Sequence, residues 1–161
     1  MKVAIFGKYY QNSTEPIIND IFVFFNSNNV EMVIESYFLN VLKEKKIIEK
    51  DYKTFSSHSE LDSSFDMLVS IGGDGTILRA AALVRDSGVP ILGINAGRLG
   101  FLATVQKDNI SEFLQLIIDK KYSISKRTLL SLTSSPENES IQELNFALNE
   151  ISVSRKETTS M

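Results

Sequence analysis

Met67-Leu68-Val69-Ser70-Ile71-Gly72-Gly73-Asp74-Gly75-Thr76 is the stretch whose reading decides the fold. An apolar run of strand length passes into three glycines around one carboxylate, and a helix is predicted from Thr76 to about Arg85. Glycine accepts backbone angles that other residues resist, and without a Cβ it lets a ligand approach the main chain. A helix that starts at such a loop turns its first N–H groups toward it, an arrangement suited to phosphate. An acid beside bound phosphate repels the ligand unless it binds a metal or takes up a proton. The pattern therefore predicts phosphoryl-transfer chemistry served by one carboxylate, Asp74.

On the N-terminal side, Val3–Phe6 reads as a short buried strand ending at Gly7. Thr14 is placed as the cap of a helix, with Glu15 and Pro16 in its first turn and Ile17, Ile18, Ile21, Phe22 and Phe25 as its apolar face. Asn26-Ser27-Asn28-Asn29 closes that helix, and Val30–Ile34 is a second, weakly marked strand. A helix is placed over 36–50, with Lys43-Glu44-Lys45-Lys46 as its solvated face. Ser56–Glu60 reads as a loop, in which His58, the only histidine, has no local partner to suggest catalysis or metal binding.

On the C-terminal side, the helix over Thr76–Asp86 is expected to stop at Gly88. Val89–Ile94 follows as a buried strand, and Asn95-Ala96-Gly97-Arg98-Leu99-Gly100 is a second glycine-bearing loop at a strand end. Asp108 or Asn109 opens a helix through Phe113, Leu114, Ile117 and Ile118, with Lys120 and Lys121 at its C-terminal end. Strands separated by helices favour an α/β fold with a doubly wound, mainly parallel sheet. Ligands of such sheets gather outside the carboxyl ends of the strands, where both glycine loops fall, so a single cleft is expected.

After residue 122 the texture changes. Tyr122–Ser125, Leu129–Thr133 and Leu144–Val153 read as extended, with a polar turn or longer loop at Ser134–Ser140. That is the pattern of an antiparallel β domain at its beginning. The chain is accordingly divided into an α/β nucleotide-binding domain at 1–121 and the incomplete start of a β domain at 122–161.

Composition narrows the function classes. The 161 residues fit one ordinary domain or one domain and part of another. The absence of cysteine excludes a disulfide scaffold, a thiolate metal site and a thiol nucleophile, and suits a cytoplasmic protein. A net charge of −3 argues against a nucleic-acid partner. The apolar start Val3–Phe6 is too short for a signal peptide, and no stretch reaches the ~20 apolar residues that span a bilayer, so no membrane partner is expected.

Three segments together carry a family resemblance. Ile71-Gly72-Gly73-Asp74-Gly75-Thr76-Ile77-Leu78, Gly93-Ile94-Asn95-Ala96-Gly97-Arg98-Leu99-Gly100-Phe101-Leu102 and Ala147-Leu148-Asn149-Glu150-Ile151 resemble the motifs of bacterial NAD kinases, in family order. The first motif is shared with diacylglycerol and sphingosine kinases and, more loosely, with phosphofructokinases. The second is far more specific, and its presence weighs against a lipid kinase. The resemblance implies a Rossmann-like N-terminal domain followed by the opening of a β domain.

It also implies transfer of a phosphoryl group from ATP, or from polyphosphate, to the adenosine 2′-hydroxyl of NAD. Asp74 matches the general base of the family, and Gly75 its partner in NAD contact, with Gly72, Gly73 and Thr76 completing the phosphate loop. Arg79 falls where a basic residue meets the bound nucleotide, and Phe101 matches a position near the adenine. Asn149 and Glu150 match the pair that holds ribose hydroxyls, and Ser160 lies at a polar contact position for NAD. A divalent cation, Mg²⁺, is implied for the phosphates, although the sequence shows no complete metal-ligand set. A homo-oligomer is implied for the full-length protein.

Two other readings remain. A lipid kinase would share the Gly72–Thr76 loop and show no NAD dependence, whereas a non-catalytic nucleotide-binding fragment would bind without turnover. The family continues well past Met161 into a β domain, so the chain alone is expected to have little kinase activity. An apolar edge left open by that missing domain would favour association or aggregation.

Overall fold

Apolar side chains fall on both faces of the central strands, as expected of a sheet covered by helices on each side. The computed structural model describes residues 1–9, 14–97, 100–103, 105, 109–133 and 144–152. In chain order the first unit contains strand β1 (Lys2–Gly7), helix α1 (Thr14–Ser27), β2 (Glu31–Glu35), α2 (Ser36–Glu44), β3 (Lys53–Phe55), β4 (Met67–Gly72), α3 (Asp74–Val84), β5 (Ile91–Asn95) and α4 (Ile110–Ile118). A single 3-10 turn at His58–Glu60 precedes β4. Strands β6 (Leu130–Ser131) and β7 (Phe146–Ala147) pair antiparallel in the second unit.

The five-stranded sheet has the order β3-β2-β1-β4-β5 and is parallel throughout. Val105 extends it by one parallel bridge to Ile94. Val3, Ile5, Met32, Ile34, Met67, Val69 and Ile71 face a core shared with Ile17, Ile18, Ile21 and Phe25 of α1, Phe38 and Leu42 of α2, and Leu114 of α4. The alternate residues Ala4, Val33 and Leu68 face a smaller core with Ala80 and Val84 of α3 and with Phe55, Leu61 and Phe65. This two-faced covering makes the sheet doubly wound, in agreement with the sequence.

The chain divides into compact units at Met1–Ile124 and Ser125–Met161. Of the extended run predicted over Leu144–Val153, the described residues form a strand at Phe146–Ala147, with a bend at Leu148 and Asn149, and Val153 lies outside them. Tyr122–Ser125 pairs with no strand among the described residues, and the polar loop at Ser134–Ser140 lies outside them.

Several boundaries differ from the sequence reading for local reasons. Thr14 is the first residue of α1 rather than a cap outside it, and its side chain is fully buried. Helix α2 ends at Glu44, not at 50, because Lys46 takes a positive φ of 56° and turns the chain. Helix α3 begins at Asp74, two residues earlier than predicted. It ends at Val84, where Arg85 rather than Gly88 takes the first positive φ, at 49°.

Candidate functional site

Strand β4 delivers the glycine loop to the sheet's carboxyl edge, between β1 and β5. Gly72, its last residue, has φ 155°, and a Cβ there would overlap Thr76. Gly73 and Gly75 have open space where a Cβ would stand, so the main chain is accessible from outside. The Gly73 carbonyl accepts from the N–H groups of Thr76 (2.9 Å) and Ile77 (3.3 Å), closing the first turn of α3. The N–H groups before them have no intrahelical acceptor, as at any helix start. Thr76 is buried, and Gly75 is exposed at the tip.

Asp74 points away from this tip toward the loop that follows β5. Its Oδ2 accepts from the Phe101 N–H (2.8 Å), and its Oδ1 accepts from the N–H groups of Leu102 (2.9 Å) and Ala103 (3.2 Å). The Phe101 and Leu102 bonds hold the carboxyl below its ordinary range, opposed by desolvation and helped by the Ala103 bond. A Cβ on Gly100 would overlap the Asp74 carboxylate, so glycine there allows the close approach.

The second loop is further tied by the Ala96 N–H donating to the Gly72 carbonyl (3.2 Å) and by Asn95 Oδ1 accepting from the Gly97 N–H (2.8 Å). The two glycine loops are thus neighbours, as their positions after adjacent strands required. Phe101 is 95% exposed and stands outside the core. Arg98 and Leu99 of the motif lie outside the described residues.

A cleft of about 430 Å³ opens on the other side of the glycine loop, at the ends of β1 and β2. Gly73, Gly75, Thr76 and Arg79 line one wall, and Lys8, Glu35 and Tyr37 belong to the remainder. Arg79, one turn into α3, is exposed there. Sequence reasoning missed Lys8, Glu35 and Tyr37. For two of them the available signal was positional, since Lys8 directly follows β1 and Glu35 closes β2, whereas Tyr37 lies in the first turn of α2.

Of the remaining predicted residues, Asn149 and Glu150 are exposed just after β7 in the second unit, and Ser160 lies outside the described residues. Among the described residues no group of three or more His, Asp or Glu side chains is placed to hold a metal ion. His58 lies in the 3-10 turn, as a surface residue.

Fold and loops together define a doubly wound α/β domain with a glycine loop at a helix N-terminus. The family model described as the ATP-NAD kinase N-terminal domain matches residues 3–122, and the chain belongs to that family. It is 71% identical over all 161 residues to the NAD kinase of Flavobacterium johnsoniae, covering 55% of that relative. It is 64% identical to the NAD kinase of Flavobacterium psychrophilum, again over its whole length and 55% of the relative. The chain thus spans about half the length of the curated relatives it matches. Among solved structures, yeast NADH kinase complexed with NADH superposes with a TM-score of 0.69 at 20% identity, over 85% of this chain and 44% of that one, a likeness of fold.

Proposed function

We propose that this chain forms the glycine-loop half of an NAD kinase, which transfers the γ-phosphoryl group of ATP to the adenosine 2′-hydroxyl of NAD. The observation that carries the reading is the division of the α3 N-terminus. Its main chain and Arg79 face the cleft, whereas the Asp74 carboxylate faces the loop at 100–103. Donor phosphates enter on the first side, against the open backbone at Gly73 and Gly75. The acceptor hydroxyl meets Asp74 on the second, with the Phe101 ring exposed for the adenine to cover.

Phosphoryl transfer depends mainly on positioning and charge stabilisation, so fixed N–H donors, a cationic side chain and one acceptor for the hydroxyl proton meet its central needs. A carboxylate already holding three N–H bonds is a weakened base. The incoming hydroxyl takes over part of that coordination, and the proton passes to the freed oxygen of Asp74. Mg²⁺ belongs in this reading to the nucleotide substrate, where it neutralises phosphate charge.

Asn149 and Glu150 are assigned to the ribose hydroxyls of NAD, through charge-assisted bonds for Glu150, and Ser160 to a further polar contact. The domains are assigned as 1–121 for the nucleotide-binding α/β part and 122–161 for the beginning of the β part. The complete reaction is assigned to this chain joined to the portion of its relatives that it does not span, in a cytoplasmic homo-oligomer. In that reading the 161 residues alone turn over little substrate. Incubation of the extended protein with NAD⁺, ATP and Mg²⁺ tests the assignment: NADP⁺ carrying the new phosphate on the 2′-oxygen is the expected product. A folded extended protein that yields none with ATP or polyphosphate would reject it.

A further inference from the structure

We infer that the cleft beside the glycine loop recognises the donor as a nucleotide, with the Tyr37 ring stacking on its base and the Glu35 carboxylate accepting its ribose hydroxyls. This deepens the donor-side reading above and rests on it. The cleft volume of about 430 Å³ lies within the usual range for small-molecule sites, roughly 300–1,000 Å³. Its lining changes chemically along its length. Lys8, Arg79 and the α3 N-terminus mark the end for phosphates, and Glu35 and Tyr37 mark the end toward β2.

An inorganic polyphosphate is anionic throughout and would bring charge toward the Glu35 carboxylate. A nucleoside triphosphate instead presents hydroxyls and a neutral planar base there. Tyr37 is 74% exposed, and its N–H is fixed by donation to Glu35 Oε1 (3.0 Å), which sets the backbone of the stacking residue. Glu35 Oε2 accepts from the Phe38 N–H (2.8 Å), so each carboxylate oxygen holds one backbone bond. An ionised carboxylate offers about four acceptor sites, which leaves capacity for ribose hydroxyls. Glu35 also closes β2, beside β1, the position from which an acid reaches a ribose in dinucleotide-binding sheets.

Asp74 and Phe101 are not among the cleft's lining residues, which separates this nucleotide from the acceptor assigned to Asp74. Calorimetric titration of the 161-residue chain with Mg²⁺ and AMPPNP, inorganic tripolyphosphate or NAD⁺ tests the inference. AMPPNP should bind more tightly than tripolyphosphate. Tyr37→Ala should weaken AMPPNP about 5- to 100-fold, toward the tripolyphosphate level, and leave tripolyphosphate unchanged. Tyr37→Phe keeps the stacking face and should bind AMPPNP as the wild type does, whereas Glu35→Gln should weaken AMPPNP alone.

Equal wild-type affinity for AMPPNP and tripolyphosphate, or equal weakening of both by Tyr37→Ala, would overturn base recognition while leaving a phosphate site. Loss of NAD⁺ binding in place of AMPPNP binding would overturn the donor assignment. Binding of neither phosphate compound by the wild type would reject the donor-cleft reading itself, and this inference with it.

Discussion

Asp74 joins two loops that lie 27 to 29 residues apart, through the N–H groups of Phe101, Leu102 and Ala103. These bonds depress its pKa below the ordinary 3.8, so their contribution is complete above that value and is lost as pH falls through the lowered one. Amide exchange at Phe101–Ala103, compared with a chain lacking the carboxylate, should therefore show protection that persists through neutral and mildly acidic pH and fades only below the ordinary carboxylate range. Asp74→Ala, which removes both acceptor oxygens, should abolish that protection even at pH 7. Gly100→Ala tests the same contact by geometry: its methyl pushes the carboxylate aside without touching the core. A displacement on the order of 1 Å costs about 10²-fold in turnover, so steady-state assays of the extended protein should show a kcat loss of that order. The Gly-Gly-Asp-Gly-Thr motif made Asp74 legible in the sequence, but not the direction of its carboxylate. The partners are distant backbone groups, which leave no side-chain pattern to read.

At the scale of elements, helix α1 supplies much of the larger core, with Ile18, Ile21 and Phe25 fully buried against the sheet. Phe25→Ala should lower unfolding free energy by about 3–5 kcal/mol in a urea titration. Val23→Ala on the same helix, at a position 67% exposed, should change it by no more than about 0.5 kcal/mol. Helix α1, strand β4 and helix α4 were legible because their apolar residues recur at helical spacing or form a continuous run. Strand β3 was not, since Lys53 and Thr54 are exposed and only Phe55 enters the core. The helix after β2 was overextended because propensity favours continuation through the lysines, whereas Lys46 turns the backbone and Ile48 returns to the core. Tyr37 escaped notice for a related reason: it stands outside the apolar face of α2.

At the scale of the whole molecule, every residue of the two described cores lies within the first unit, Met1–Ile124. A chain ending at Ile124 should therefore keep a cooperative unfolding transition and the amide protection of β1, β4 and β5. Loss of that transition would show that the later residues complete the fold. The motif at 147–151 gave the sequence its third family mark, and the structure places Asn149 and Glu150 at the exposed end of β7 in the second unit. The central claim is that Asp74 receives the acceptor hydroxyl's proton while the γ-phosphoryl group passes from ATP to that hydroxyl oxygen beside the glycine loop, with ADP as the leaving group. Its most direct test is the single-turnover rate of NADP⁺ formation from NAD⁺ and ATP by the extended protein, with and without Asp74→Asn. A fall of about 10²–10⁴-fold, with ATP binding retained, is predicted. An unchanged rate in the Asp74→Asn protein would contradict the account.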